Sequence, residues 1–385
     1  MAERSAERNV AVLVGLDFGK GGYDESIEEL GQLAASAGIQ ARALVRGRRD
    51  RPDPALFAGS GKVEEIKRNL QEQGASLAIF NHDLSPAQER NLEKALGCPI
   101  VDRTRLILNI FGQRAKSHEG KLQVELAQLE HAATRLVRGW THLERQRGGR
   151  GFMGGMGETQ LEVDRRLIAN RVKLLKDKLG KLGRRREVQR RARERGRAFS
   201  VSLVGYTNAG KSTLFNTLTR AGALAEDRLF ATLDTTTRRL YLPEAGNVAI
   251  SDTVGFIRDL PHTLVAAFRA TLEEAVHADL LLHVVDAASD AREAQVLEVD
   301  KVLAEIGANS VPRLLVWNKI DRNGLQPGVD WNEYDRICRV RLSAKTGDGV
   351  DGLRRALIEA TASRTSPACS PKPTDSKKLG QAATT

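Results

Sequence analysis

A glycine-rich stretch near the middle of the chain constrains the fold more than any other feature. The apolar run Phe199–Val204 predicts a buried strand, which leads directly into GYTNAGKS at residues 205–212 and then into a helix-compatible segment. This is the G-x-x-x-x-G-K-[ST] pattern, in which backbone N–H groups and a helix N-terminus cradle phosphates. Its lysine reaches the outer phosphates and its final hydroxyl can ligate Mg²⁺. The predicted nucleotide-binding residues are Gly205, Tyr206, Thr207, Asn208, Ala209, Gly210, Lys211, Ser212 and Thr213, with Ser212 as a metal ligand.

Two downstream segments supply the parts that would sense a third phosphate. Residues 229–236 form a threonine-rich loop, LFATLDTT, of the type that closes over a γ-phosphate. The sequence VAISDTVG at residues 248–255 predicts a strand ending in D-x-x-G, so that Asp252 can hold the metal ion while the Gly255 N–H faces the γ-phosphate. Taken alone, the motif at residues 205–212 has a simpler interpretation as a glycine-rich turn before a helix. The further motifs that follow it in order argue against that interpretation.

Two strand ends in the last third of the chain indicate which base is bound. Continuous apolar runs at residues 280–285 and 313–317 predict strands buried on both faces of a parallel sheet. Asn318-Lys319-Ile320-Asp321 follows the second run, and the Asp321 carboxylate can accept from both donors on the guanine edge, which adenine lacks. Ser343-Ala344-Lys345 can offer an N–H to guanine O6. The motifs together predict a Ras-like, doubly wound α/β GTPase domain with GTP/GDP and Mg²⁺ as cofactors.

The residue after D-x-x-G bears on the rate of hydrolysis. Lys211 and Gly255 are candidate catalytic residues, since both would act on the γ-phosphate. Ras-type GTPases carry a water-orienting glutamine at the next position, where this chain has Phe256. Because an aromatic side chain cannot orient water, we expect slow unaided hydrolysis and a partner that completes the site. A polar residue elsewhere that replaces the glutamine is the alternative.

The net charge and the cysteines of the chain indicate what kind of partner it binds and in which cellular compartment it lies. The 385 residues carry 60 Lys and Arg against 49 Asp and Glu, a net charge of +11 that favours a polyanionic partner. The three cysteines are scattered, without a disulfide framework or a metal-binding spacing. The chain shows no signal sequence and no apolar run of about 20 residues. We therefore expect a monomeric cytoplasmic protein without a membrane anchor.

The chain before the phosphate loop divides into two parts. Alternating strand and helix patterns predict a small α/β layer with a largely parallel sheet. Within it, GSGK at residues 59–62 lacks the first glycine of a phosphate loop and indicates a turn that begins a helix, with a minor phosphate contact as the alternative. Apolar stripes from Leu122 and from Leu161 then predict an antiparallel helical hairpin. The predicted domains are residues 1–112, 113–198 and 199–364, followed by a disordered tail at 365–385.

The connection between the two hairpin helices has an unusual composition. Residues 145–157 combine three arginines, six glycines and three large apolar side chains. Arginine binds phosphates through two parallel hydrogen bonds, glycine permits close backbone approach, and apolar side chains pack on splayed bases, so this loop suits structured RNA. A flexible loop with incidental arginines is the alternative. An arginine-rich run after Gly183 favours a nearby polyanion over a merely solvated face. The candidate RNA-binding residues are Arg145, Arg147, Arg150, Phe152, Met153, Arg184, Arg185, Arg186, Arg190 and Arg191.

The sequence resembles the HflX family of translational GTPases from about residue 10 to residue 362. The matching segments are LQVELAQLEH, GETQLEVDRRL, VGYTNAGKSTLFN, LFATLDTTTRR, DTVGFIRDLPH and NKID. The resemblance implies a GTPase that binds the large ribosomal subunit, reaches rRNA near the peptidyl transferase centre, and splits or rescues stalled ribosomes under stress. It also implies that Thr232, at the F-x-T-L position, is catalytic and ligates Mg²⁺ beside Ser212 and Asp252.

The chain departs from the family pattern at two places. Gly154 and Met156 stand where the family has arginine and proline in the hairpin loop, which removes one phosphate ligand and a fixed bend. Thr235 stands where the family has proline in the threonine-rich loop.

An RNA-binding GTPase in tRNA modification or ribosome assembly is the alternative function. A membrane-associated GTPase is less favoured, because the basic run lacks an amphipathic anchor.

Overall fold

The computed structural model describes residues 10–19, 21–139, 160–195, 199–219, 229–261, 264 and 269–363. The first part is an α/β layer whose four strands are all parallel, in the order β2-β1-β3-β4. The alternating sequence pattern predicts this arrangement. Its elements are β1 (Val10–Asp17), α1 (Tyr23–Ser36), β2 (Gln40–Arg48), α2 (Ser60–Glu72), β3 (Leu77–Phe80), α3 (Pro86–Leu96), β4 (Ile100–Val101) and α4 (Arg103–Arg114).

Helix α4 is an element that the sequence analysis misses. Its apolar residues do not form one stripe, since Leu106, Ile107, Leu108, Ile110 and Phe111 are all buried. A helix that is apolar on several sides is buried between two layers, and the periodicity of a surface helix is then lost. Elsewhere in this layer, Gly59 precedes α2 with a φ of 80°, which agrees with a glycine turn at the helix start.

Two long helices follow, as the apolar stripes predict. They are α5 (His118–Gly139) and α6 (Gln160–Arg195). Leu122, Leu126 and Leu175 form a buried cluster between them. Ion pairs flank the cluster, with Arg171 Nη2 2.6 Å from Glu125 Oε1 and Lys176 Nζ 2.8 Å from Glu130 Oε1. Within the described ranges, no helix is both long and apolar enough to span a membrane.

The C-terminal part is built on a seven-stranded sheet in the order β10-β11-β9-β8-β5-β7-β6. Five central strands are parallel, and the edge strands β6 and β10 are antiparallel to their neighbours. The doubly wound α/β fold class is confirmed. The strands are β5 (Phe199–Val204), β6 (Thr236–Leu242), β7 (Gly246–Asp252), β8 (Leu280–Asp286), β9 (Arg313–Asn318), β10 (Gly328–Trp331) and β11 (Ile337–Arg341), and the helices are α7 (Lys211–Thr219), α8 (Arg269–Val276), α9 (Arg292–Glu305) and α10 (Val350–Ser363).

A continuous apolar core joins the α/β layer to the C-terminal sheet. It contains Leu33 of α1 and Phe111 of α4 together with Phe230 and Phe256, which lie in the loops beside β5. The Phe111 and Phe230 rings meet edge to face with centroids 4.6 Å apart. The strand order reverses at β5, and doubly wound sheets bind ligands at such a reversal, beyond the carboxyl ends of the strands.

Candidate nucleotide-binding site

The loop after β5 has a backbone shape that demands its two glycines. Gly205 has a φ of 148°, and a Cβ there would lie 2.2 Å from the Val284 carbonyl oxygen. Gly210 has a φ of 92°, and its Cβ would lie 2.2 Å from Asn318 Nδ2. Both conformations are strained for residues with side chains. The glycines predicted from the phosphate-loop pattern are therefore required by the local geometry.

Lys211 lies on the floor of this loop, at the start of α7. Its side chain is buried, and its Nζ donates to the carbonyl oxygens of Gly205 and Tyr206 at 3.1 and 2.8 Å. Burial lowers the pKa of Lys211 to about 8, while the nearby Asp252 carboxylate acts in the opposite direction. Gly255 lies directly across, since a Cβ there would lie 2.9 Å from Lys211 Nζ. Lys211 and Gly255, two of the three candidate catalytic residues, thus lie close together beside the phosphate loop.

Three oxygen-bearing side chains from three different segments meet beside Lys211. Ser212 Oγ lies 2.6 Å from Asp252 Oδ2 and 2.7 Å from Thr232 Oγ1, and Thr232 Oγ1 lies 2.9 Å from Asp252 Oδ2. Asp252 Oδ1 is buried without a hydrogen-bond partner among the described residues. Burial raises the pKa of Asp252, and the hydrogen bonds from Ser212 and Thr232 together with Lys211 oppose that rise. A compact set of hard oxygen donors with one unused carboxylate oxygen fits a Mg²⁺ ion.

The base-recognition segments are joined to the phosphate loop through Asn318. Its Nδ2 donates to the Ala209 carbonyl oxygen at 2.9 Å, and its Oδ1 accepts from the Ala344 N–H at 2.8 Å. Ser343 Oγ donates to Asp321 Oδ1 at 2.6 Å and lowers the pKa of that carboxyl group. The Asp321 side chain is therefore ionised and oriented as an acceptor, as guanine recognition requires.

An acidic residue outside the motifs fixes the lysine of the NKID segment. Asp286, the last residue of β8, accepts from Lys319 Nζ at 2.7 Å, and both side chains are largely buried. Lys319 has a φ of 64° and directly precedes the 3₁₀ turn Ile320–Arg322. Asp286 also accepts from the Ala288 N–H at 3.0 Å, so the pair is anchored to the backbone.

A buried polar network ties the phosphate loop to the N-terminal layer, and the sequence analysis misses it. The Tyr206 hydroxyl donates to Glu29 of α1 and accepts the Arg258 N–H at 2.7 Å. Arg103 of α4 pairs with Glu29, and it also donates to Asn81 Oδ1 at 2.9 Å and to the Arg258 carbonyl oxygen at 3.0 Å. Burial and the Glu29 charge raise the pKa of Tyr206 far above its usual value, so this hydroxyl stays a donor. A single carboxylate in an ordinary helix carries no motif that would reveal this role.

The candidate RNA-binding residues are only partly within the described ranges. Arg184 is exposed on α6, and Arg185, Arg186, Arg190 and Arg191 belong to the same helix. The predicted contacts Arg145, Arg147, Arg150, Phe152 and Met153 lie outside the described residues, as do the departures at Gly154 and Met156.

Comparisons with known proteins match nearly the whole chain. Family models match residues 24–112 (GTP-binding GTPase N-terminal), 114–193 (GTP-binding GTPase Middle Region) and 200–319 (50S ribosome-binding GTPase). GTPase HflX of Escherichia coli (strain K12) is 52% identical over 360 residues, which cover 93% of this chain and 84% of that protein. GTPase HflX of Caldanaerobacter subterraneus subsp. tengcongensis is 46% identical over 357 residues, which cover 93% and 82%. The chain belongs to the HflX family of GTPases.

A solved structure with GDP shares the fold of this HflX-family GTPase. The crystal structure of SsGBP with GDP is 24% identical and covers 93% of this chain and 99% of that one, with a TM-score of 0.50. A GTP-binding protein from the archaeon Sulfolobus solfataricus in complex with GDP gives 22% identity, 92% and 99% coverage and a TM-score of 0.47. The family membership and the GTPase domain confirm the predicted activity, and GTP and GDP are the nucleotides of this protein.

Replacing Asp321 by Asn in this HflX-family protein tests the base-recognition segment. The substitution exchanges an oxygen acceptor for an amide donor, and we expect GDP to bind about 30-fold more weakly because a hydrogen bond to a charged group is worth about 2 kcal/mol. Xanthosine diphosphate carries a carbonyl in place of the guanine amine and should bind the variant better than the wild type. Competition titrations with both nucleotides measure this exchange. Asp335→Asn, at an exposed turn between β10 and β11, is the control and should leave both affinities unchanged.

Proposed function

We propose that this protein is a GTP-controlled switch that binds the large ribosomal subunit and splits or rescues stalled ribosomes, with hydrolysis stimulated by the ribosome. One observation carries the proposal. The Thr232 hydroxyl of the threonine-rich loop lies within hydrogen-bond distance of both Ser212 and Asp252. A loop that contributes a metal ligand only when it is closed reports the presence of the third phosphate, which is how GTPase switches act.

Each residue of the site has a role in this proposal. Lys211 binds the outer phosphates, and the Gly255 N–H faces the γ-phosphate. Ser212, Thr232 and Asp252 hold Mg²⁺, which when bound neutralises charge on the phosphate oxygens. The remaining phosphate-loop residues supply backbone N–H groups, whereas Asn318, Lys319, Asp321 and the loop 343–345 surround the guanine.

The role of the ribosome follows from the position after Gly255. The Phe256 side chain is fully buried in the core shared with the N-terminal layer, and its backbone pairs with the phosphate loop through Thr207 N–H at 2.7 Å and Gly205 O at 3.1 Å. A ring held in this way orients no water, so a partner has to supply or reposition the missing group. We infer that the large subunit does so, in keeping with the family model described as a 50S ribosome-binding GTPase.

The basic helices provide the contact with rRNA in this proposal. We divide the chain into an α/β domain to residue 112, a hairpin to residue 198 and a GTPase domain to residue 364. Arg184 and the arginines after it on α6 bind rRNA near the peptidyl transferase centre. The glycine- and arginine-rich loop contributes to the same contact. The protein acts as a monomer. Phosphate contacts by several arginines make such binding steeply dependent on salt.

Sedimentation with purified ribosomal subunits tests the proposal. We expect the protein to comigrate with the large subunit in GTP or a non-hydrolysable analogue and to be released in GDP, and GTP turnover to rise when large subunits are added. Absence from the large subunit in every nucleotide state would overturn the proposal. Selective binding to tRNA instead would favour the role in tRNA modification.

A further inference from the structure

Asp234, two residues after Thr232, makes an unusual contact with the start of the helical hairpin. Its Oδ2 accepts the N–H groups of Lys116 and Ser117 at 2.9 and 2.8 Å, and its Oδ1 accepts from Ser117 Oγ. Ser117 Oγ in turn accepts the Gly120 N–H at 2.8 Å. A carboxylate at this position satisfies free N–H groups at the N-terminus of α5 and interacts favourably with the helix dipole. Ser117 caps α5, and Asp234 of the threonine-rich loop binds this capping residue from more than a hundred residues further along the chain.

Two more contacts hold the same loop against the N-terminal layer. The Leu229 N–H donates to Ser36 Oγ at the end of α1 at 3.1 Å. The Phe230 ring is fully buried against Phe111 of α4. Thr232 thus lies between an anchored segment before it and Asp234 after it, which is bound to the N-cap residue Ser117. Contacts within the chain hold the loop on both sides of Thr232.

Closure of a switch loop normally depends on the γ-phosphate and its metal ion. When a ligand binds only to the closed loop, its apparent affinity is reduced in proportion to the fraction of molecules in which the loop is closed. Contacts that keep the loop closed in advance raise the affinity for the triphosphate state. The diphosphate state does not use the loop threonine, so its affinity is unaffected by them.

We propose that Asp234 is a positioning residue that holds Thr232 at the metal site by binding Lys116 and the N-cap residue Ser117 at the start of α5. Through this contact the occupancy of the nucleotide site and the base of the helical hairpin depend on each other. The inference rests on the proposed metal site, because Thr232 acts through the metal ion.

Two variants disturb the contact from opposite sides. Asp234→Ala removes the carboxylate. Gly120→Ala leaves Asp234 in place, but its new Cβ would lie 2.2 Å from Asp234 Oδ1 and displaces the carboxylate. Alanine favours a helix more than glycine does, so the Gly120 variant retains a stable α5. Asp335→Asn again serves as the control, since it removes one aspartate charge from an exposed turn.

The experiment compares nucleotide affinities in the full chain without ribosomes, with a fluorescent non-hydrolysable GTP analogue and with fluorescent GDP over a Mg²⁺ titration. We expect both variants to bind the analogue about tenfold more weakly in Mg²⁺. Their affinity for GDP should stay within twofold of the wild type. Hydrogen exchange of the nucleotide-free protein gives a second readout, in which the amides of residues 229–236 and of Lys116 and Ser117 should exchange faster in both variants than in the control.

The outcomes separate this inference from the proposed function. Variants that keep wild-type affinity for the analogue and wild-type exchange, in a protein whose analogue binding depends on Mg²⁺, would overturn the positioning role and leave the metal site intact. Equal losses of analogue and GDP affinity would also overturn it, since they indicate general damage to the site. A wild-type protein whose analogue binding is indifferent to Mg²⁺ would remove the proposed metal site, and the inference with it.

Discussion

Replacing Asp252 by Asn should lower GTP turnover by about a hundredfold or more. The side chain is almost completely buried at the junction of Ser212 and Thr232, and Asn keeps its shape while removing its charge. A carboxylate that binds a catalytic metal ion contributes several kcal/mol to the stabilisation of the transition state. Single-turnover hydrolysis at saturating GTP measures the loss, and the Mg²⁺ concentration for half-maximal rate should rise in parallel.

The control for Asp252 separates loss of the metal from loss of the fold. Asp252→Asn should keep the wild-type thermal midpoint, because a neutral amide is easier to bury than a carboxylate whose pKa burial already raises. Asp335→Asn should leave turnover unchanged. An Asp252 variant that hydrolyses GTP within threefold of the wild type, at the same Mg²⁺ requirement, would refute the assigned metal role.

Replacing Glu29 by Ala should lower the free energy of unfolding by about 3 kcal/mol. The substitution leaves the Arg103 guanidinium, which is 4% exposed as a residue, without its counter-charge and removes the acceptor of the Tyr206 hydroxyl. Breaking one side of a buried ion pair costs about 3 to 5 kcal/mol, chiefly through the charge left behind. Urea titration followed by circular dichroism measures the change.

Two companion variants identify the cause of this loss. Asp24→Ala removes another carboxylate of α1, whose pair with Arg46 lies at the surface, and should change stability by less than about 1 kcal/mol. Adding Arg103→Met to Glu29→Ala removes the orphaned charge and should recover part of the stability. Equal losses of unfolding free energy in the Glu29 and Asp24 variants would show that the buried network stabilises the fold no more than a surface ion pair does.

A nucleotide site of this kind can be predicted from the sequence because its chemistry is local. A phosphate loop needs its glycines, lysine and hydroxyl at fixed spacing, and a short segment can impose the conformation without help from the rest of the chain. The backbone angles of Gly205 and Gly210 illustrate this, since φ values of 148° and 92° favour glycine whatever surrounds them. The buried strands can also be predicted from the sequence, because apolar runs such as those of β8 and β9 indicate burial on both faces of the sheet.

Other elements are not predicted from the sequence, because the pattern of their residues depends on the elements they pack against. Helix α4 carries apolar residues around most of its circumference, and that pattern makes sense once a second layer covers it. The sequence pattern predicts β2 at residues 39–45 and α1 at residues 26–37, whereas the structure has Gln40–Arg48 and Tyr23–Ser36. Strand and helix ends depend on caps and neighbours as well as on periodicity.

By itself the sequence determined which nucleotide this protein binds and which fold carries the site. Tertiary structure alone decided how that site is joined to the remainder of the molecule. Tyr206 meets Glu29 across 177 residues, and Asp234 binds the N-cap residue Ser117, which lies 117 residues before it. Neither contact has a periodic or spaced signature, because a single polar side chain gains its partner only when segments distant in the sequence pack together. The same docking buries Phe256 and turns a phosphate-binding loop into part of an interdomain contact.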